Sequence, residues 1–324
     1  MAYIIQDTTL SRIAEAIRAK NGTTDKIKVS DMAAMIKAIK AGGDDKSAAI
    51  IDRSITEYSN GSVETIGDYA FSGCKSLISV NVPKVISLGR QVFENCEHLS
   101  KVDLPAATSI GNRAFFYCSS LTTIDLPMAT SIGDDAFYYC TNLAKVNLPM
   151  TTSIGSDAFD GCNSLTTVDL PAATSIGSSA FSACSNLTTA NLPAATSIGS
   201  SAFYYCSSLT TVVLPAATSI GSNAFYYCEK LTTVDLPMAT NIGAYVCSSC
   251  PTLKALIIRT GQVCSLDSEL GYGTDSCYIY VPRALINDYK AATNWAQYAD
   301  KFRALEDYTV DGTTTGELDT TKIQ

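Results

Sequence analysis

The stretch IGSDAFDGCNSLTTVDLPAATS, residues 154–175, decides the fold, because near-copies of it follow one another along the chain. A proline near the end of each copy recurs at a constant step of 22 residues. These prolines are Pro83, Pro105, Pro127, Pro149, Pro171, Pro193, Pro215 and Pro237. Cysteines from Cys74 to Cys250 keep the same step. A fixed period of this kind indicates a solenoid, and we count nine rungs between residues 63 and 258.

Each rung has two halves with different patterns. In LTTVDLP, residues 165–171, Val168 and Leu170 alternate with polar residues, which predicts a short strand that the proline ends. In IGSDAFDGC, residues 154–162, the apolar residues fall mostly on one face of a helix at about 100° per residue. We therefore predict an α/β solenoid with a parallel sheet on one face and short helical segments on the other.

The strand half fits the leucine-rich-repeat pattern L-x-x-L-x-L, here Leu121-x-x-Ile124-x-Leu126. The cysteine stands before the strand, where the usual pattern has Asn or Cys after it. With the motif IGxxAFxxCxxL, this departure resembles the BspA-like (Treponema-type) leucine-rich repeats of bacterial surface proteins. The resemblance implies a leucine-rich-repeat solenoid over residues 63–258.

The flanks differ from the repeats and divide the chain further. Two short amphipathic helices with capping residues are predicted before Gly42 and Gly43, and the strand-then-proline pattern returns at CYIYVP, residues 277–282. The predicted divisions are a helical hairpin for attachment or oligomerisation at 1–41, a linker at 42–47, an N-terminal cap strand at 48–62, the solenoid at 63–258, a C-terminal cap at 259–308 and a flexible tail at 309–324.

These flanks also carry a second resemblance. TLSRIAEAIRAKNGTTDKIKVSDMAAMIKAI, residues 9–39, is similar to a short N-terminal module of phage and prophage tail-region proteins from Gram-positive gut bacteria. IIDRSITEY before the repeats and YTVDGTTTGELD after them resemble the same group. The resemblance implies a virion-associated protein that engages a host-surface glycan or protein. The hairpin would bind other virion proteins or further copies of the chain.

Composition and motifs exclude several classes of function. The net charge of −8 and the pI of about 4.7 argue against nucleic acid and anionic membranes, which require a basic surface. The N-terminus lacks a signal-peptide pattern, which favours a virion assembled inside the cell over the alternative of a bacterial cell-surface adhesin. His98 is the one histidine, and no catalytic motif accompanies it, so we expect no enzyme and no cofactor.

The cysteines that recur every 22 residues could form disulfides or bind a metal ion. Their place on the apolar face instead predicts buried free thiols. Cys247 and Cys250 have CxxC spacing only because they occupy the Phe and Cys columns of one rung. We therefore expect no metal site there. The surroundings of Cys264 and Cys277, which lie outside the repeats, are not predicted.

Polar side chains on the outward face of the strands form one candidate binding surface. The resemblance places this surface on the concave face of the solenoid. It is either a solvated ladder, a shallow site for a glycan or protein, or, between Asp103 and Asp125, a calcium site. The candidate residues are Lys101, Asp103, Asp125, Lys145, Asp169 and Asp235.

The pair of residues between Phe and Cys in each rung forms the favoured candidate surface, because it is aromatic in four rungs. On a helix the first of the pair would point away from the core and the second would lie half-buried at its edge. The rings either fill grooves between rungs or bind a partner, for which tyrosine is well suited. The candidate residues are Phe116, Tyr117, Tyr138, Tyr139, Tyr204, Tyr205, Tyr226 and Tyr227.

Overall fold

The computed structural model describes residues 53–319 and residue 322. The predicted hairpin at 1–41, the linker at 42–47 and the start of the cap strand lie outside the described residues. The described chain winds into a parallel β-solenoid, in which each coil contributes a longer strand, a shorter strand and a connecting turn segment.

The strands are numbered in chain order, and the two kinds alternate up to β20. The longer strands are β1 Glu57–Ser59, β3 Ser79–Asn81, β5 Lys101–Asp103, β7 Thr123–Asp125, β9 Lys145–Asn147, β11 Thr167–Asp169, β13 Thr189–Asn191, β15 Thr211–Val213, β17 Thr233–Leu236, β19 Ala255–Ile258, β21 Tyr278–Val281 and β22 Phe302–Ala304. The shorter strands are β2 Thr65–Ile66, β4 Ser87–Leu88, β6 Ser109–Ile110, β8 Ser131–Ile132, β10 Ser153–Ile154, β12 Ser175–Ile176, β14 Ser197–Ile198, β16 Ser219–Ile220, β18 Asn241–Ile242 and β20 Ser265–Leu266.

The two kinds of strand form sheets of different continuity. The shorter strands make one unbroken ten-stranded parallel sheet from β2 to β20. The longer strands pair in parallel as four separate groups, β1-β3-β5, β7-β9, β11-β13-β15 and β17-β19-β21-β22. Both sheets keep a register of one repeat, so that Ile154 lies beside Ile176 and Val168 beside Ala190. Each side chain therefore meets its counterpart in the next coil, and the repeat becomes a set of side-chain columns.

The predicted helical segments, and with them the α/β class, are wrong for the described residues. In the segment IGSDAFDGC the backbone is left-handed at Asp157 (φ 53°) and Gly161 (φ 72°), which no α-helix allows. The N–H groups of Asp157, Phe159 and Gly161 instead bond to carbonyls of the next coil at 2.8–2.9 Å. Hydrogen bonding between coils replaces bonding within a helix. One short α-helix, α1 at Ile286–Ala291, occurs in the described chain, together with three 3-10 turns at Arg283–Leu285, Ala296–Tyr298 and Leu305–Asp307.

The interior consists of columns of identical residues. Phenylalanine rings from Phe71 to Phe225 are at most 1% exposed, and successive centroids lie 5.1–5.8 Å apart. Each cysteine of the column from Cys96 to Cys250 donates its S–H to a phenylalanine carbonyl of the preceding coil, as Cys162 does to Phe137 at 3.2 Å. The cysteine thus fills a small apolar space and also satisfies a backbone oxygen, which explains its recurrence.

A glycine follows the shorter strand where neighbouring coils approach most closely. A Cβ atom on Gly177 would lie 2.5 Å from the carbonyl carbon of Gly155, well inside van der Waals contact. The backbone of the preceding coil cannot move aside as a flexible side chain could. Glycine at this position is therefore required by the stacking of the coils.

The C-terminal part follows the repeats with a strand, a proline and a helix. Strand β21 pairs with β19 and β22, and the Trp295 indole N–H donates to the Cys264 carbonyl at 2.7 Å. The Cys264 N–H donates to the Tyr289 hydroxyl at 2.9 Å. Cys264 and Cys277, which the sequence left unplaced, are both buried in this cap.

The predicted flexible tail is packed over its described part, residues 309–319. The Arg259 guanidinium donates three hydrogen bonds to the Asp235 carboxylate and also donates to the carbonyls of Thr314 and Gly316, at 2.8 and 3.1 Å. Leu318 packs against a cluster that includes Ile257. This segment therefore covers the outward face of the last longer strands, where the repeat consensus gives way to apolar residues.

Candidate binding surface

The first group of aromatic side chains spans two neighbouring coils and is here called ladder 1: Phe116, Tyr117, Tyr138 and Tyr139. Phe116 stacks on Tyr138 with ring centroids 4.9 Å apart, and Tyr117 stacks on Tyr139 at 5.3 Å. The Arg113 guanidinium lies over the Phe116 ring at 4.9 Å and pairs with Asp135 at 3.1 Å. Ladder 1 is thus two parallel ring stacks, with one paired cation at its N-terminal end.

The second group, ladder 2, repeats this arrangement in two coils nearer the C-terminus: Tyr204, Tyr205, Tyr226 and Tyr227. Tyr204 stacks on Tyr226 at 5.0 Å, and Tyr205 stacks on Tyr227 at 4.5 Å with ring planes 5° apart. The structure therefore brings together every aromatic residue of the favoured prediction, in the two groups that the repeat spacing predicts.

The predicted order of exposure is wrong for three of the four aromatic pairs, and in the fourth both Tyr226 and Tyr227 are partly exposed. In those three pairs the second residue is the more exposed one, at 39% for Tyr117 and Tyr139 and 42% for Tyr205, whereas the first is only partly exposed. The reason is the left-handed backbone of the second position, with φ of 54° at Tyr139 and 58° at Tyr205. That conformation turns the second side chain outward, whereas the prediction placed it on a helix.

A carboxylate group lies between the two ladders. Burial raises the pKa of Asp160 to about 6, and repulsion by Asp157 adds to this effect, while a hydrogen bond from Ser182 opposes it. Burial, followed by the nearby Asp160 charge, also raises the pKa of Tyr138. Among the described residues neither Asp157 nor Asp160 has an ion-pair partner. The surface between the ladders is therefore acidic.

The alternative surface on the longer strands is polar, and its side chains largely bind one another. The Asn147 amide donates to Asp125 at 2.7 Å, and the Asn191 amide donates to Asp169 at 2.8 Å. Asp103 lies on β5 and Asp125 on β7, and these two strands do not pair in one sheet. Lys101 and Lys145 are exposed. Asp235 is held by Arg259. On this exposed sheet face, polar side chains of neighbouring coils therefore form hydrogen bonds with one another.

Neither the cysteines nor the carboxylates form a reactive or metal-binding centre within the described residues. All twelve cysteines are free and buried, and burial raises the pKa of the Cys250 thiol to about 12. No group of three or more His, Cys, Asp or Glu side chains in residues 53–319 is placed to hold a metal ion. No helix of the described chain is long and apolar enough to cross a membrane.

Two further exposed tyrosines were missed by the sequence reasoning. Tyr69 is 43% exposed with Arg90 5.1 Å from its ring centre, and Tyr272 is 70% exposed beside Tyr245. Tyr69 lies three residues after the last residue of its shorter strand, in the column that also holds Tyr245, and could have been found from that spacing, whereas Tyr272 lies outside the repeats. Both contacts involve coils that lie next to those that carry the ladders.

Comparison with known protein families matches the repeats to one family. The family model for the BspA type leucine rich repeat region matches six copies over residues 53–165 and 130–254, which together cover more than half of the chain. No protein of curated function matches the chain in sequence.

Solved structures of bacterial leucine-rich-repeat proteins are similar to this chain. One from Bacteroides ovatus shares 22% identity with a TM-score of 0.48, covering 78% of this chain and 84% of that protein. One from T. pallidum shares 26% identity with a TM-score of 0.42, covering 54% and 78%. A leucine rich cell surface protein from Faecalibacterium prausnitzii shares 20% with a TM-score of 0.33, covering 72% and 90%. On the extent of the family match, the chain belongs to the BspA type leucine-rich-repeat family.

Proposed function

We propose that this chain is a non-enzymatic binding protein and that ladders 1 and 2 engage a host-surface glycan or protein. The observation that carries the proposal is the placement of eight aromatic side chains on one outer face, in four coils only. Large aromatic side chains supply contact area at low cost in side-chain entropy and are enriched among residues that dominate binding energy.

Folding alone does not account for these rings. The same two positions hold Asp160 and Gly161 in one coil and Ser182 and Ala183 in the next, and both coils keep the same backbone and interior columns. The tyrosine at the second position of each pair also occupies a left-handed backbone position that disfavours bulky side chains. A residue that folding does not require, placed where the backbone disfavours it, is the pattern expected of a binding surface.

The setting that we propose for this binding is a phage virion, in its tail region. The support is the resemblance of the terminal sequences to phage tail-region proteins, with the N-terminal segment attaching to other virion proteins or to further copies. The alternatives are a bacterial cell-surface adhesin of the same family and a virion decoration protein without a receptor role. Mass spectrometry of virions purified from an induced host tests the setting, because absence of the chain from particles would overturn it.

The binding role is tested by competition with the purified full chain. We expect the chain to block adsorption of the phage to host cells and to bind host cell-wall fragments directly. Changing Tyr139→Ser and Tyr205→Ser together should weaken this binding by at least about tenfold, in the range of buried aromatic anchors.

The matched control for that experiment lies on the longer strands. Lys101→Ser and Lys145→Ser together alter the alternative surface and leave the ladders intact, and we expect binding to stay within about twofold of the parent. The reverse result, with loss in the lysine variant and none in the tyrosine variant, would move the binding site to the strand face.

A further inference from the structure

The outer aromatic columns are interrupted at their centre by two coils without rings. The more exposed column runs Tyr117 and Tyr139, then Gly161 and Ala183, then Tyr205 and Tyr227. The companion column carries Asp160 and Ser182 at the same two coils. We call these four small or polar residues, 160, 161, 182 and 183, the gap.

The rings beside the gap turn their faces toward it. Tyr139 stacks on Tyr117 and Tyr205 stacks on Tyr227, so each ring has one face covered by its own ladder partner. The other face of each ring points along the solenoid toward the gap. Tyr139 leans over Gly161, because a Cβ atom there would lie 2.8 Å from the Tyr139 ring. The gap is therefore bounded at both ends by aromatic faces.

The size of the gap follows from the spacing of the coils. Tyr139 and Tyr205 are three coils apart, and three steps of about 4.8 Å separate their backbones by about 14 Å. At van der Waals distances of about 4 Å between layers, two stacked puckered rings take up about 12 Å of this separation, and the lean of Tyr139 over Gly161 narrows it toward a single ring in contact with both walls. The floor is low at Ala183, which carries a small side chain, whereas Gly161 is buried beneath the Tyr139 ring.

We infer that the gap seats a short segment of a neutral glycan chain, with the ring faces of its sugars against Tyr139 and Tyr205. This inference rests on the proposed function and names the class of ligand. A pyranose ring has C–H groups on its faces and hydroxyl groups at its rim. The negative faces of tyrosine rings attract the C–H groups, and the rim requires polar partners.

The polar partners are present in the gap. The Asp160 carboxylate is partly exposed, and its side-chain hydrogen bond from Ser182 leaves further acceptor capacity for ligand hydroxyl groups. Asp157 stands nearby and has no cationic partner among the described residues, while Arg113 is already engaged by Asp135. A carboxylate or phosphate on the ligand would meet this negative charge without a free cation, so charge favours a neutral glycan over an anionic one.

A variant that fills the gap can be taken from the repeat itself, because other coils carry two tyrosines at these positions. Changing Asp160→Tyr, Gly161→Tyr, Ser182→Tyr and Ala183→Tyr gives both coils the AFYYC sequence found at 136–140 and 202–206. Tyrosine already occupies the left-handed position in four coils, with φ of 54–60°. The variant should fold and should carry more exposed aromatic surface than the parent.

A matched control adds aromatic residues outside the gap. Glu94→Tyr and Asn95→Tyr extend ladder 1 by one coil at its far end and leave the gap open. The probes are immobilised neutral oligosaccharides of hexoses and N-acetylhexosamines, and the same backbones bearing a carboxylate or a phosphate. Thermal unfolding of each full-length variant establishes that it is folded.

We expect the parent and the control to bind at least one neutral probe, with acidic forms of that probe bound at least tenfold more weakly. The gap-closed variant should lose binding at least tenfold. Retained binding in the gap-closed variant, together with loss in Tyr139→Ser/Tyr205→Ser, would overturn the gap site and leave the proposed function standing. Host-cell binding without any neutral glycan binding, or equal binding of acidic probes, would also overturn the inference. Absence of all host binding would instead overturn the proposed function.

Discussion

The inner phenylalanine column and the outer tyrosine column run side by side and obey different constraints. The inner column keeps phenylalanine in every coil from Phe71 to Phe225, with rings at most 1% exposed. The outer column changes from asparagine to tyrosine, glycine, alanine and serine while the backbone stays the same. Stacking of the coils requires phenylalanine in the inner column. The backbone of the outer column accepts several residue types, so its side chains can serve binding.

The largest expected difference between the columns is in stability. Phe159→Ala removes a buried ring between two stacked neighbours and should lower the free energy of unfolding by about 3–5 kcal/mol. Tyr205→Ala, on the outer column, should lower it by less than about 1 kcal/mol. Urea unfolding of both variants measures the difference. Equal losses would mean that the outer rings are part of the structural core.

The glycine at the closest approach of the coils should give the next largest effect. Gly177→Ala places a methyl group against the backbone of the preceding coil and should destabilise the protein by about 1–3 kcal/mol, because neighbouring coils must separate. Gly261→Ala is the matched control, since nothing lies within 4 Å of its added methyl group. A stability for Gly177→Ala as high as that of the control would contradict the requirement for glycine.

The Asp160 carboxylate, in the companion column, gives a smaller effect that depends on pH. Burial raises the pKa of Asp160 in the folded chain to about 6, so between about pH 4 and 6 the folded state binds more protons than the unfolded state. Stability should therefore decline as pH rises through this window. Asp160→Asn should flatten the decline and stabilise the protein at pH 7 by about 1 kcal/mol, after allowance for solvent screening.

Unfolding curves at pH 4.5 and pH 7 measure this effect. Asp103→Asn, at an exposed position of the strand face, is the matched control and should leave the slope unchanged. A slope in Asp160→Asn equal to that of the parent would show that Asp160 is not the titrating group.

The sequence predicted the columns of this fold but not the backbone of the turn segment. The 22-residue period, the strands before each proline and the buried free cysteines follow directly from residue spacing. The helical prediction was wrong because apolar residues at helical spacing also suit a segment whose N–H groups bond to the next coil. Asn95, Gly161 and Asn223 at the left-handed positions carried a signal for this, since Asn and Gly tolerate such backbone.

The wrong helical backbone also limited how much of the candidate surface could be predicted. Spacing alone grouped the aromatic residues correctly, because register fixes which coils are neighbours. The order of exposure within each pair required the left-handed backbone, which spacing does not reveal. The tail at 309–324 was predicted to be flexible because it is polar and has few apolar residues, yet Leu318 packs against residues of the sheet face.

Hydroxyl-radical footprinting of the full chain bound to host cell-wall fragments tests most directly whether the outer tyrosine column is the binding surface. Tyr139 and Tyr205 report on the ladders, Val213 reports on the strand face, and the exposed Met128 and Met150 report on the turns after the longer strands. We predict strong protection of the two tyrosines, with Val213 and both methionines labelled as in the free chain. Protection of Val213 with unchanged labelling of Tyr139 and Tyr205 would contradict the account.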